Sequence, residues 1–237
     1  MISLILKEID LPSELQRIKK MGWIPSMRES DTGIGKTIEE LLGIRENNNK
    51  IADCSYHGME VEIKGHREHS TAMVTLFTLE AGQRILHDVE LMKKYGYIDD
   101  KGRLALKVTL TTGGYIPQGL KLETDRSQGT ISIVDKFGFK PWVWSWSTIH
   151  LKLLNLCIIY ARSRKINDIE EFQIESSKLL IGLNADCFFN LIENGFITID
   201  LRMNINETGG SRNRGTAFRV SSWEDLENCY EKIEQLL

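Results

Sequence analysis

A chain of 237 residues, 41% hydrophobic and 27% charged with only four prolines, has the composition of an ordinary globular protein and is long enough for one large domain or two modest lobes. No apolar run approaches a membrane span, and the start Met1-Ile2-Ser3-Leu4-Ile5-Leu6-Lys7-Glu8 lacks the basic opening and long apolar stretch of a secretory signal. A formal net charge of −3 argues against a non-specific nucleic-acid coat, so contact with nucleic acid has to come from local charge asymmetry. Cys54, Cys157, Cys187 and Cys229 lie far apart with no paired spacing. They predict buried or free thiols in a reducing cytoplasm, and argue against zinc.

In chain order, Leu11, Leu15 and Ile18, with Pro12 in the first turn, predict an amphipathic helix over residues 11–20. Asp31-Thr32-Gly33-Ile34-Gly35-Lys36-Thr37 looks like the tail of a phosphate-binding P-loop. Ser30 stands where that motif needs its first glycine and no strand pattern leads in, so a nucleoside triphosphatase is rejected. The better reading is a loop feeding a helix over residues 36–42 that buries Ile38, Leu41 and Leu42, with Glu39 and Glu40 offset. Asn47-Asn48-Asn49 reads as a turn.

The stretch D-C-S-Y-H-G-M-E-V-E-I-K from Asp53 to Lys64 carries the strongest chemical signal. From Met59 to Lys64 apolar and charged residues alternate with a period of two, so Glu60, Glu62 and Lys64 project from one face of a strand. Such a face cannot be a core. With Asp53 lying against it, Asp53 and Glu62 can share a divalent cation while Lys64 holds an attacking water or a phosphate oxygen, an arrangement for metal-assisted phosphodiester hydrolysis. The acidic-x-Lys pattern is short, and Asp99-Asp100-Lys101 matches it too, but Gly102 follows and that segment reads as a solvated turn. For Glu62 the plain alternative is an edge strand whose charged face meets water.

Further on, His66 and His69 are spaced wrongly to share one face of a strand and read as exposed polar residues near a nucleic-acid backbone. Residues 72–77 predict a strand, 80–95 a helix, and 104–146 three or four β segments. Trp142, Trp144 and Trp146 alternate on a strand and are assigned to packing. Residues 149–161 are apolar at helical spacing and predict a central buried helix. A short strand is expected over 172–175 and a helix over 185–193, ended by Asn194-Gly195. Residues 196–202 alternate again, with Asp200 and Arg202 on one face; Gly215-Thr216-Ala217-Phe218-Arg219-Val220 reads as the hairpin partner. Ser222 caps a last helix running to about residue 236. Between these strands Arg202, Arg212, Arg214 and Arg219 face only Glu207 in a Gly-rich setting. A hairpin presenting Asp200, Arg202, Asn213 and Arg219 has the chemistry to read base pairs in a major groove, since arginine donates twice to guanine and a carboxylate can orient it. The plain alternative is a solvated hairpin tip with surface ion bridges.

Taken together, T-G-I-G-K-T-I-E-E-L-L (Thr32 to Leu42), A-D-C at Asp53, M-E-V-E-I-K ending at Lys64, T-L-F-T at Thr75, I-D-L-R-M at Asp200 and G-T-A-F-R-V at Arg219 resemble the MvaI/BcnI family of type II restriction endonucleases, relatives of the MutH mismatch-repair nicking enzyme. The similarity runs over about residues 22–220. It implies an α/β fold of the α+β, mixed-sheet kind: a PD-(D/E)xK nuclease core of MutH-like type, with two lobes forming a DNA-binding cleft. The catalytic lobe is expected over about residues 1–150 and the DNA-recognition lobe over 151–237. By the resemblance Asp53 and Glu62 are the Mg²⁺-binding acids, Lys64 the catalytic lysine and Glu39 a helix glutamate near the metal. Asp200, Arg202 and Arg219 match positions that contact G·C pairs, and Asn213 stands where related enzymes carry an aspartate. Lys36, His66, Arg212 and Arg214 are expected on the DNA backbone.

The gap between Asp53 and Glu62 is longer than usual in the family. A shifted register would align His57 with the family aspartate and bring in Glu60; the Ala52-Asp53 approach favours Asp53, and imidazole suits magnesium poorly. The resemblance also implies a cytoplasmic monomer that nicks one strand at a time at C-C-x-G-G-like sites in double-stranded DNA, with a companion DNA methyltransferase encoded nearby. A MutH-like strand nickase and an inactive DNA-binding protein are the alternatives; the intact Asp/Glu/Lys set argues against the second.

Overall fold

A computed structural model describes residues 6–28, 33–44, 52–68 and 73–237. The expected turn at Asn47-Asn48-Asn49, His69, and the Ser30-Asp31-Thr32 start of the P-loop-like stretch lie outside the described residues. The chain forms two compact units, Met1–Ser70, Lys152–Leu183 and Tyr230–Leu237 in one, Thr71–Leu151 and Asn184–Cys229 in the other.

The first unit begins with α1 (Leu11–Lys19), β1 (Ile24–Pro25), α2 (Gly33–Leu41), β2 (Cys54–Tyr56) and β3 (Met59–Arg67). The second takes β4 (Val74–Thr78), β5 (Gln83–Arg84), α3 (Asp88–Tyr95), β6 (Tyr97–Ile98), β7 (Leu104–Leu110), β8 (Leu120–Asp125), β9 (Thr130–Asp135) and β10 (Trp142–Ser145), and α4 (Trp146–Leu153) leads out of it. The first unit then gains β11 (Asn155–Ile166) and β12 (Ile169–Leu183); the second gains α5 (Ala185–Glu193), β13 (Ile197–Ile205), β14 (Ser211–Asn213), β15 (Ala217–Val220) and α6 (Trp223–Glu227). The chain closes in the first unit with β16 (Tyr230–Gln235).

A single cut near residue 150 is therefore corrected to an interleaved division. The reason is strand pairing. β3 lies parallel to β11, with Leu156 opposite Glu62 and Ile158 opposite Lys64, and parallel neighbours cannot be joined by a tight hairpin. Most of the second unit fills that crossover. β16 then returns to pair antiparallel with β12, completing a sheet ordered β1-β12-β11-β3-β2.

In the first unit α1 buries Leu11, Leu15 and Ile18, and Asp10 caps it by accepting from the Ser13 N–H. These residues join Ile34, Ile38 and Leu42 from α2 and its end, Val61 and Ile63 from β3, and Cys157, Ile159 and Phe172 from β11 and β12 in one core. The second unit holds a four-stranded sheet, β5-β10-β9-β8, and a six-stranded one, β4-β15-β13-β7-β6, with β14 paired to β13.

Several elements differ from expectation. The apolar run expected as a helix over 149–161 is the end of α4 followed by β11. Leu156, Cys157, Ile158 and Ile159 are all buried, so both faces of this central strand are covered, and a strand buried on both faces has the same unbroken apolar pattern as a buried helix. The helix expected over 80–95 starts only at Asp88, where His87 and Glu90 form a capping box. The short strand over 172–175 is part of the long β12. Trp146 opens α4 rather than extending β10. Ser222 does cap a helix, but α6 stops at Glu227. Cys187 and Cys229, expected as thiols, are joined in a disulfide with Cα atoms 5.2 Å apart; α5 and the residue before β16 meet across a separation that hides the pairing in the sequence. Cys54 and Cys157 are free and buried. Among the described residues no helix is long and apolar enough to cross a membrane.

Candidate active site and nucleic-acid interface

β2 and β3 form a tight hairpin, with Cys54 opposite Val61 and Tyr56 opposite Met59. Its turn is His57-Gly58, both at positive φ (50° and 73°), as a two-residue hairpin turn requires. Beyond the ladder the Asp53 N–H donates to the Val61 carbonyl at 3.1 Å, and the Asp53 carboxylate accepts from the Ile63 N–H at 2.8 Å. These bonds bracket Glu62 and hold Asp53 against it. Lys64 Nζ donates to Glu62 Oε1 at 2.7 Å. The hairpin thus brings Asp53, Glu62 and Lys64 together and leaves His57 at its turn, with Glu60 exposed opposite Ser55.

Burial, and then the Glu62 charge, push the Asp53 carboxyl up to about 6; the Ile63 N–H and Lys64 act the other way, and Glu39 adds to the rise. For Lys64, burial pulls the ammonium down, but Glu62, Asp53 and Glu39 outweigh it and the net shift is upward. The lysine stays protonated. Two crowded carboxylates beside one ammonium leave acidic charge poorly compensated, and hard oxygen donors of this kind would suit a hard divalent cation. Among the described residues no group of three or more His, Cys, Asp or Glu stands close enough to hold a metal ion.

Glu39 reaches this site because α2 crosses β3 at two glycines. A Cβ added to Gly65 would stand 3.2 Å from the Gly35 nitrogen and 3.3 Å from its Cα. The G-I-G-K stretch that imitates a P-loop serves this close approach, and α2 begins at Gly33 rather than Lys36. Gly35 and Gly65 were not singled out from the sequence. Glycine before and after charged residues was the available signal, and its meaning needed the crossing. Lys36 is buried, 8% exposed, with Nζ 3.8 Å from Glu39 and 3.9 Å from Glu40. His66 is half-buried, edge-on to Tyr160, and burial followed by Arg67 holds its imidazole below the ordinary value.

In the second unit β13 divides its side chains cleanly. Ile197, Ile199, Leu201 and Met203 are fully buried; Thr198, Asp200, Arg202 and Asn204 point to the other face. Pairing places Lys107 and Thr109 of β7 opposite Arg202 and Asp200, and Arg219 of β15 opposite Thr198. Asp200 accepts from Arg219 Nη1 at 3.0 Å and from the Thr109 hydroxyl at 2.7 Å, while Arg219 Nη2 donates to the Met73 carbonyl at 2.7 Å. Asp200 therefore orients the arginine across the sheet, not Arg202 on its own strand. The Arg214 N–H donates to the Arg202 carbonyl at 3.1 Å, which continues the β13–β14 register and sets Arg214 beside Arg202; Lys107, opposite Arg202, is ion-paired with Asp99 at 2.8 Å. Nε of Arg202 and of Arg219 is buried without a hydrogen-bond partner among the described residues.

Arg212 pairs opposite Asn204 and joins the same face; Asn213 pairs opposite Met203 and points the other way. There its amide donates to Asp88 Oδ2 at 3.2 Å, and its oxygen accepts from the Gly215 N–H at 2.9 Å. The structure thus gathers Asp200, Arg202, Arg212, Arg214 and Arg219 and sets Asn213 apart. Lys107 and Thr109 were missed, although their alternation with Leu106, Val108 and Leu110 was readable.

The sequence matches the MvaI/BcnI restriction endonuclease family over residues 13–230. The chain belongs to this family. Among solved structures it is similar to the restriction endonuclease MvaI in complex with its cognate DNA substrate, at 26% identity over 96% of this chain and 97% of that one, with a TM-score of 0.78. MvaI in the absence of DNA matches at 23% identity over 96% of each chain, with a TM-score of 0.55, and shows the fold alone. No curated protein matches the chain. As a member of the MvaI/BcnI family the chain is a type II site-specific deoxyribonuclease, and the expected mixed α+β architecture agrees with these MvaI structures.

Two predictions follow from the first-unit geometry. Gly65→Ala pushes a methyl against the α2 backbone and is expected to cost about 1–3 kcal/mol in urea unfolding, with loss of cleavage; unchanged stability would mean that the crossing is looser than described. Asp53 is held above its ordinary value of 3.8, so folding favours its protonated form. Its stabilising contribution is full below that value and is lost as pH rises through about 6. Asp53→Asn, measured in chelator at pH 7.5, is expected to raise stability by about 1–3 kcal/mol and to flatten the dependence between those two values, while abolishing cleavage. A destabilised variant would contradict the shift.

Proposed function

We propose that this chain is a Mg²⁺-dependent restriction endonuclease that cuts double-stranded DNA at a short C-C-x-G-G-like site, nicking the strands in turn as a cytoplasmic monomer alongside a companion DNA methyltransferase. The observation that carries the catalytic half is the set of Asp53 against Glu62 with Lys64 bonded to Glu62, the arrangement of a PD-(D/E)xK core of MutH-like type. In this reading the first unit is catalytic and the second reads the DNA.

Asp53 and Glu62 hold the cation, which when bound supplies positive charge at the scissile phosphate and a more acidic water. Lys64, kept protonated by its acidic neighbours, donates to the attacking water or to a phosphate oxygen and so aligns the in-line attack. Water oxygen bonds to phosphorus and gives up a proton to bulk water, the bond to the 3′ oxygen breaks, and that oxygen leaves and takes up a proton from bulk water. Glu39 acts from α2 by holding the charge on Lys64. On the second unit, Arg202 and Arg219, the latter oriented by Asp200, are suited to donate to guanines of two G·C pairs. Arg212, Arg214 and His66 contact the backbone. The buried Lys36 and the turned-away Asn213 are left out of the interface.

Lys64→Ala is expected to abolish cleavage and retain sequence-specific binding. Arg202→Ala is expected to lose about 1–3 kcal/mol on cognate DNA alone; equal weakening on random DNA would make it a phosphate contact. The direct test is incubation with unmethylated plasmid, with Mg²⁺ and with chelator, followed by sequencing of the ends. Discrete ends at one short site, seen only with metal, are expected. Nicked circles without linear product would make the chain a MutH-like nickase, and retention of DNA without cleavage would make it an inactive binder.

A further inference from the structure

β14 is only three residues long and, among the described residues, pairs on one side alone, with β13. So short a ladder is a weak anchor, yet it precedes Arg214 and carries Arg212. What holds it is one carboxylate. The Ser211 hydroxyl and the Asn213 amide, the two inward side chains of the strand, both donate to Asp88 Oδ2, at 3.1 and 3.2 Å. Asp88 Oδ1 accepts from Arg84 Nη2. The Arg84 guanidinium lies over the Trp142 ring, 4.8 Å from its centroid, and Trp142 is buried with its indole N–H donating to the Leu86 carbonyl. The Asp88 side chain is itself only 13% exposed.

Alternation does the rest. With Ser211 and Asn213 tied inward, Arg212 and Arg214 must project to the opposite face, beside Asn204 and Arg202. Asn213 also accepts from the Gly215 N–H, which pins the backbone just past Arg214. We propose that Asp88 is a positioning residue for DNA binding: it clamps β14 so that Arg212 and Arg214 are aimed together at the nucleic acid. This rests on the reading of the arginine face as the DNA interface.

The charge of Asp88 makes the inference testable by sign. Removing a carboxylate from a DNA-binding protein tightens binding if the charge acts only at long range. If Asp88 aims the arginines, its removal weakens binding instead. The experiment measures the affinity of the full chain for a fluorescent random-sequence duplex, in chelator, across a range of salt. Arg212→Ala and Arg214→Ala are each expected to lower the log–log salt slope by about one. Asp88→Asn is expected to weaken binding severalfold and lower the slope although it adds no negative charge, and to add nothing once both arginines are already alanine. The Ser211→Ala/Asn213→Ala double variant attacks the clamp from the strand side, leaves α3 untouched and should reproduce the loss. Tighter or unchanged binding by Asp88→Asn, or an equal loss in the arginine-free background, would overturn the clamp while leaving the interface reading intact. No effect of the arginine changes themselves would overturn both.

Discussion

The parallel pairing of β3 with β11 is the constraint on which the rest of the first unit depends. One face of β3 closes the core through Val61 and Ile63; the other carries Glu62 and Lys64. Flanked by β2 on one side and β11 on the other, the strand cannot slip by one residue without exchanging its core and charged faces. The same pairing forces a long crossover, and the chain uses that crossover to build most of the second unit.

On this rigid strand the electrostatics are deliberately unbalanced. Asp53 is lifted toward neutrality by burial and by Glu62, and Lys64 is kept charged by the same acids that crowd it. A cluster of like charges held together in this way costs stability, which is the usual relation between a perturbed carboxylate and the fold that carries it. The Gly35–Gly65 crossing brings α2 close enough for Glu39 to take part.

The second unit applies the opposite charge with the same economy of scaffold. A six-stranded sheet buries Ile197, Ile199, Leu201 and Met203 on one face; the other carries Arg202 and Arg212, with Asp200 hydrogen-bonded to Arg219. Backbone ladders and the proposed Asp88 clamp hold the β14 arginines in place.

Much of this was legible from residues alone. Period-two alternation revealed the charged face of β3 and the split faces of β13; apolar spacing with Pro12 revealed α1, and the Asn194-Gly195 stop marked the end of α5. The Ala52-Asp53 approach favoured Asp53 over His57 as the family aspartate, and the structure sets His57 at the hairpin turn. The misread helix over 149–161 has a physical cause: where a strand is buried on both faces, as β11 is, local periodicity vanishes and helix and strand look alike. What the sequence by itself determined is which residue types alternate, and therefore which faces are charged and which are core. Only tertiary structure decided which faces meet: that Asp200 bonds to Arg219 instead of serving Arg202, that Lys36 is buried among acids, that Asn213 turns inward to Asp88, and that Cys187 finds Cys229. Each of these depends on strand register or on contact between segments distant in sequence, and no local pattern encodes such partners.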